Sequence, residues 1–391
     1  MISELCNFRK IKVCIKNTVI SRVIVLFLVS ILLLIVFSPH LHDINAVRFV
    51  LQEEVLFKYF LIIYGFYACR NINQFKKIID LSLIGLGIMT FFGVFNYVTK
   101  SSYYVGALME GYNSSAMFDG EMNLSAMFAD SSRFRVNSTF LNPFDYGFMS
   151  VVLALLYSYA YQLKILKTKV YYIALVACIF GIVTCGSRTV LFVSMIAWLV
   201  YVYCAFNLDK KIKLLFGVFF VSVIAYIAIP AVAEKVDFAM SAFDKNSDVD
   251  GSNIEGRSVQ YAAVFYHIQD NLLFGKGYRY FTIDLGWGKG KEYIVDSDLY
   301  GLEGVAMNYL LERGLVGYIL YLLFYIILFL YLIRNRRQGK YEYALAVSVL
   351  AAYFVFANMT GELLSVKPTL LILGCAIGIL CSNKNKNTLC C

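Results

Sequence analysis

The segment that decides the fold is LVGYILYLLFYIILFLYLIRNRRQGK, residues 315–340. It consists of an uncharged stretch up to Ile333, followed by four basic residues within the next seven positions. An apolar stretch of about 17–25 residues is typical of a helix that spans a membrane. Lys and Arg beside such a helix mark its cytoplasmic end. The segment therefore predicts a transmembrane helix whose carboxyl end faces the cytoplasm.

Similar apolar stretches recur along the whole chain. Its 391 residues are 60% hydrophobic and only 16% charged, whereas soluble domains carry about 45–50% apolar and about 25% charged residues. The sequence predicts an all-α polytopic membrane protein, a single domain over residues 1–391, with about ten transmembrane helices. We expect them near residues 20–38, 50–69, 79–98, 144–162, 170–187, 189–206, 214–232, 315–333, 341–357 and 363–381.

The basic residues fix the predicted topology. Every second gap between apolar stretches is short and basic, and these gaps hold 20 of the 35 Lys and Arg but only four acidic residues. By the positive-inside rule these gaps are cytoplasmic, and so are both termini. Two long polar stretches, approximately residues 99–143 and 233–314, then become outer loops. Lys58 lies inside a predicted span.

Charge and cysteine content narrow the possible partners. The net charge of +9 belongs to the predicted inner membrane surface, so it gives no reason to expect binding of nucleic acid. Neither outer loop contains a cysteine, and the ten cysteines of the chain show no C-x-x-C spacing. The sequence thus predicts neither a disulfide framework nor a metal site, and it indicates no cofactor.

The second outer loop contains a predicted surface helix. After Gly256 and Arg257, the side chains of Tyr261, Phe265, Ile268 and Leu272 recur at helical spacing on one face. We expect this face to lie along the membrane surface. The helix should end at Gly275-Lys276-Gly277, which we interpret as a plain turn rather than as a phosphate-binding loop.

Arginines on the predicted outer side are candidate anion ligands. Arg188 lies in a short turn between two spans, where the positive-inside rule does not explain it. Arg257 stands at a helix start, where a guanidinium and a helix amino end together suit a phosphate. Arg135 and Arg279 flank two further turns. For each, the alternative is an ordinary surface arginine, or one that reaches the lipid headgroups.

Two carboxylates precede the span at residue 315. Asp298 and Glu303 lie at the predicted membrane boundary, where a carboxylate could deprotonate a sugar hydroxyl as general base. The alternative is a pair of solvated loop acids. His267 lies in the middle of the surface helix, and we interpret it as structural.

Four motifs, in order, resemble the O-antigen ligase and polymerase superfamily of Wzy-like membrane proteins. Residues 135–147 resemble its arginine-to-Asn-Pro segment, and Gly186-Ser187-Arg188 resembles its Ser-Arg turn. Residues 256–277 are similar to its Gly-Arg helix and glycine turn, although Asn271-Leu272 stands where Pro is usual. Residues 308–317 resemble the entry to the next helix. Ligase-type members carry a His where this chain has Glu303.

The resemblance implies a bacterial polysaccharide polymerase in the cytoplasmic (inner) membrane. Its substrates would be glycans on undecaprenyl diphosphate, polymerised on the outer face into O-antigen or capsular polysaccharide without a metal. Arg188 and Arg257, helped by Arg135 and Arg279, would bind the diphosphate, and Glu303 or else Asp298 would be the base. A chain-length regulator protein is a further partner that fits this class. The alternatives are an O-antigen ligase and a flippase for the lipid-linked repeat.

Overall fold

The structure, a computed structural model, is described here for defined parts of the chain. These are residues 19–38, 47–48, 51, 58–69, 71–102, 135–228, 233, 236–237, 254–278, 280, 297–299, 302, 304–361 and 367–388. Within them the chain forms helices and no strand. The helices are α1 Val19–Val36, α2 Phe60–Ala68, α3 Ile72–Thr99, α4 Pro143–Gln162, α5 Thr168–Thr184, α6 Arg188–Ala205, α7 Leu208–Ala228, α8 Ile254–Ile268, α9 Val305–Arg334, α10 Lys340–Thr360 and α11 Lys367–Thr388. Short 3-10 helices cover Gln269–Asn271 and Ser297–Leu299.

Several described helices are suited to a membrane. By length and composition α3, α6, α9 and α10 can cross one, and three shorter apolar helical stretches run over Arg22–Val36, Thr168–Thr184 and Lys367–Ser382. The predicted all-α class is confirmed for the described residues. The number of ten spans, the side of each loop and the single domain over 1–391 stay predictions, and much of both outer loops lies outside the described residues.

The centre of the bundle is formed by α4, α6 and α10. α4 packs against α5, α6 and α10, and α6 packs along α10. α4 begins at Pro143, one residue before the predicted span, because the Asn142 side chain accepts a hydrogen bond from the Phe144 amide at 2.9 Å. On the other flank α2 packs closely against α11. A Cβ at Gly374 would overlap the Ile62 carbonyl, so small residues allow this approach.

α9 is broken at Gly314, where the predicted span was expected to begin. Gly314 has φ 62° and ψ −165°, which interrupts the helix. The rings of Tyr309 and Tyr321 are 4.7 Å apart, whereas twelve residues of straight helix would separate them by roughly 18 Å. The break therefore brings residues 305–313, the entry segment, back against residues 315–334, the spanning segment.

A turn from the preceding loop fills this break. We call residues 272–277 the Gly turn. Its Lys276 and Gly277 amides donate to the carbonyls of Leu311 (2.8 Å) and Glu312 (2.9 Å). In return, the Leu315 and Val316 amides donate to carbonyls of the turn at 2.9 and 3.1 Å. In an unbroken helix these four groups would pair with each other. The Gly turn thus satisfies the backbone groups that the break releases.

The predicted apolar face of α8 is wrong in part. Val264 and Ile268 are buried, whereas Phe265 is 51% exposed and Leu272, after the helix, is 44% exposed. The reason is tertiary: α8 packs against Leu310 of the entry segment and its neighbour Leu311, and against the 3-10 helix at Leu299. α8 therefore packs over the entry segment, residues 305–313.

A Gly275→Ala substitution should destabilise the protein. Gly275 has φ +70°, and a Cβ there would lie 2.6 Å from both the Gly314 nitrogen and the Leu311 carbonyl oxygen. Strain at such a position costs about 1–3 kcal/mol before the backbone overlap is counted. We expect a clearly lower melting temperature in detergent. Gly85→Ala in α3, where the added Cβ would meet no side chain or neighbouring helix within 4 Å, is the control and should melt no lower than the wild type. Equal melting of both variants would contradict the close packing of the Gly turn in the break of α9, which we call the lock.

Candidate functional site

Arg135 and the turn that carries Arg188 lie against each other. The Val136 amide donates to the Thr184 carbonyl at 3.1 Å, which aligns the chain at Arg135 with the end of α5. A Cβ at Gly186 would lie 3.0 Å from Cγ of Arg135, so the arginine stem covers this glycine. Both arginines are half-buried. We call the pair the Arg135–Arg188 cluster.

The amino end of α6 adds to the positive potential of this cluster. Gly186 has φ +65°, and the next residue, Ser187, caps α6 by accepting a hydrogen bond from the Val190 amide at 3.3 Å. Arg188 is the first residue of the helix. The amino end of a helix carries a partial positive charge and favours anions. The sequence predicted a turn here, and the structure adds the helix end.

Buried polar side chains hold the segment that carries Arg135. The Asn96 amide in α3 hydrogen-bonds to the Asn137 amide at 3.1 Å, and Ser102 donates to the same amide at 2.8 Å. Ser138, which has φ 52°, donates to the Met89 carbonyl at 2.6 Å. Asn96, Asn137 and Ser138 are all at most 1% exposed. Such a buried, connected network specifies one loop conformation.

The other predicted ligands lie elsewhere. Arg257 is half-buried in α8, and Asp298 is exposed on the 3-10 helix that packs against α8. The structure therefore groups Arg135 with Arg188, and Asp298 with the helix of Arg257. That the two groups meet one substrate stays a prediction. Arg279 and Glu303 lie outside the described residues.

His267 links two parts of the second outer loop. Its Nδ1 lies 3.0 Å from the Tyr280 hydroxyl, so the histidine joins α8 to the chain that follows the Gly turn. This contact fits the structural role that the sequence predicted. Among the described residues, no group of three or more His, Cys, Asp or Glu side chains is placed to hold a metal ion.

Sequence reasoning missed a second pair of cations. Lys58 and Arg313 are only 2% and 4% exposed. Lys58 Nζ donates to the Tyr309 hydroxyl at 3.3 Å, and the Arg313 guanidinium lies 3.6 Å from the centre of the same ring. We call this the Lys58–Arg313 cluster. The available signal was Lys58 itself, because ionisable residues inside membrane spans are usually functional.

An apolar groove runs between α3 and α5. It has a volume of about 650 Å³ and is lined mainly by aliphatic and aromatic side chains of the two helices, among them Leu86, Phe91 and Ile173. The Asn96 network and the Arg188 turn lie at the carboxyl ends of these two helices. A groove of this composition suits a hydrocarbon chain.

Comparison with known families gives a match over part of the chain. Residues 173–322 match the Wzy_C family, which is described as O-antigen ligase. This match supports the resemblance to the O-antigen ligase and polymerase superfamily. The predicted resemblance is confirmed, and with the apolar helices it indicates a multi-pass membrane protein. The Wzy_C match includes Arg188 and Arg257 and excludes Lys58 and Arg135. It does not distinguish a polymerase from a ligase. No curated protein matches the chain.

Replacing Asn96 by Leu should loosen the segment of Arg135. The change leaves a buried amide of Asn137 without this partner, which costs about 1–3 kcal/mol. We expect a lower melting temperature and faster trypsin cleavage after Arg135. Thr90→Val in the same helix is the control, because the Thr90 hydroxyl bonds only within α3, to Leu86 at 2.7 Å. If both variants resist trypsin equally, the network does not position Arg135.

Proposed function

We propose that this protein polymerises oligosaccharide repeat units carried on undecaprenyl diphosphate, on the outer face of the bacterial cytoplasmic membrane. The product would be O-antigen or capsular polysaccharide. The observation that carries the proposal is the packing of Arg135 on the Arg188 turn, at the amino end of α6, next to and within a Wzy_C domain. Two guanidinium groups beside a helix amino end would suit a diphosphate.

The arginines would stabilise the leaving group. When the anomeric carbon of the donor sugar is attacked, its bond to the diphosphate oxygen breaks and the electron pair stays on undecaprenyl diphosphate. Arg188 and Arg257, helped by Arg135 and Arg279, would lower the energy of this developing charge. The donor already carries the energy of the diphosphate linkage, so the reaction needs no nucleotide sugar.

The acceptor needs a base. A hydroxyl at the non-reducing end of a new repeat unit would lose its proton to Glu303, or else to Asp298, and its oxygen would form the new glycosidic bond. The growing chain thus moves from one lipid onto another. The groove between α3 and α5 would hold the hydrocarbon chain of one substrate.

A ligase is the second candidate, because the matching family is described as O-antigen ligase. The chemistry would be the same, with a different acceptor. Glu303 in place of the ligase histidine favours the polymerase. A flippase is less consistent with the charges, because most ionisable residues fall in predicted loops rather than along the spans.

Replacing Arg188 by Ala should remove polymer while the protein stays in the membrane. Loss of one group that stabilises the transition-state charge lowers the rate roughly 100-fold or more. The measurement is the size distribution of undecaprenyl-diphosphate-linked glycans in cells, where single repeat units facing outward should accumulate. Arg337→Ala, at an exposed position after α9, is the control and should give normal polymer.

Other outcomes of this experiment separate the alternatives. Normal polymer from Arg188→Ala would contradict the assignment of this residue. Long lipid-linked polymer that persists in cells without the protein would identify a ligase. Single units that remain on the cytoplasmic face in those cells would identify a flippase.

Comparison of Glu303→Gln with Asp298→Asn should identify the base. Each change keeps the shape of the side chain and removes the carboxylate. The base variant should lose roughly 10²–10⁴-fold in polymerisation rate, and the other should stay near the wild type. We expect the loss in Glu303→Gln, measured as initial rate with purified protein and lipid-linked repeat units. If neither variant slows, neither residue is the base.

A further inference from the structure

The groove between α3 and α5 is longer than one leaflet of a membrane. Residues from Leu83 to Val98 line it on α3, and residues from Val170 to Ala177 line it on α5. The rise of an α-helix from Leu83 to Val98 is roughly 22 Å. The hydrocarbon core of a bilayer is about 30 Å thick, so one leaflet accounts for about 15 Å. A chain that fills the groove therefore extends beyond the depth that phospholipid chains of one leaflet reach.

The walls of the groove are apolar and uneven. A Cβ at Gly87 would meet no side chain or neighbouring helix within 4 Å, whereas the ring of Phe91 projects and is 67% exposed. Thr90 contributes a hydroxyl, which donates to the Leu86 carbonyl at 2.7 Å within α3. In a membrane, apolar surfaces associate by close packing, which small residues permit. A hydrocarbon chain with methyl branches, such as an isoprenoid, has a suitable shape for these walls.

The groove leads towards the Arg135–Arg188 cluster. α5 ends at Thr184, whose carbonyl accepts a hydrogen bond from the segment that carries Arg135. The rings of Tyr97 and Phe180, with centres 5.9 Å apart, flank this end of the groove. The carboxyl ends of α3 and α5 are also their outer ends in the predicted topology. A lipid with its diphosphate at the cluster would therefore place its hydrocarbon chain along the groove.

We propose that the groove binds the undecaprenyl chain of the donor and selects this long isoprenoid over phospholipid. The inference rests on the proposed function, in which the Arg135–Arg188 cluster holds the donor diphosphate. It adds a specificity site that lies away from the reacting atoms. Phospholipid also reaches the groove from the bilayer, but its chains end near the midplane and leave the part beside Leu83 and Val170 to other chains.

Two glycines of α3 provide matched variants. Gly87 lines the groove, whereas Gly85 lies on the opposite side of the helix, and an added Cβ meets no side chain or neighbouring helix within 4 Å at either position. Gly87→Leu should therefore fill part of the groove, and Gly85→Leu adds the same side chain elsewhere. Both changes replace glycine by a better helix former, so both proteins should fold. Ala177→Phe fills the groove from the other wall.

The experiment maps where the hydrocarbon chain binds. The full chain in nanodiscs of neutral lipid is illuminated with undecaprenyl diphosphate that carries a photoreactive diazirine in its hydrocarbon chain, and mass spectrometry identifies the labelled residues. We expect labels within residues 83–98 and 170–177. Excess unlabelled undecaprenyl diphosphate should suppress them, and excess phosphatidylglycerol should not. Labelling should fall several-fold in Gly87→Leu, Ala177→Phe and Arg188→Ala, and Gly85→Leu should match the wild type. Melting temperatures establish that each protein is folded.

The outcomes separate this inference from the proposed function. Labels outside the groove, or equal labelling of Gly87→Leu and Gly85→Leu, would overturn the groove as the binding site. Suppression by phosphatidylglycerol would mean an ordinary lipid contact and would overturn it as well. Unchanged labelling in Arg188→Ala would overturn the assignment to the donor. A wild-type protein that is labelled in the groove but joins no purified lipid-linked repeat units would instead contradict the proposed polymerase and retain the groove.

Discussion

The four backbone hydrogen bonds between the Gly turn and the break in α9 are the constraint on which the packing of α8 and α9 depends. A membrane helix cannot end or bend without partners for its freed amides and carbonyls, because lipid supplies none. Here the turn supplies them. Only glycine fits at Gly275 and Gly314, since both have positive φ and their backbones are in contact. These hydrogen bonds hold the entry segment against the bundle, and α8 packs over the entry segment.

The hydrogen bonds between the Gly turn and the break also determine where the side chains of Lys58 and Arg313 are buried. Because of the break, Tyr309 and Arg313 are buried in the bundle. Tyr278, which directly follows the Gly turn, packs its ring against the Arg313 guanidinium. Lys58, two residues before α2, contacts Tyr309. The Tyr309 hydroxyl and ring contact the two cations, and a cation over the face of an aromatic ring is attracted to it. The second cluster is therefore a consequence of the backbone geometry at Gly314.

The Arg135–Arg188 cluster is positioned by side-chain hydrogen bonds rather than by backbone hydrogen bonds. Arg135 lies on the connection before α4 and Arg188 is the first residue of α6, and capping residues fix the chain at both helix starts. Asn142 and Ser187 determine where the two helices begin, and the buried amides of Asn96 and Asn137 hold the approach to α4. Side-chain hydrogen bonds thus position the first pair of cations, and backbone hydrogen bonds position the second.

The sequence by itself determined the all-α membrane class, the start of a helix near residue 144 and the start of a span at residue 315, because apolar length, capping residues and glycine act locally. It also indicated the superfamily and the turn of Arg188. Tertiary structure alone decided the buried face of α8, because Phe265 and Val264 differ only in what packs above them. It alone brought Lys58 to Arg313, since their meeting requires contacts between residues about 250 positions apart, and helical periodicity carries no information at that distance.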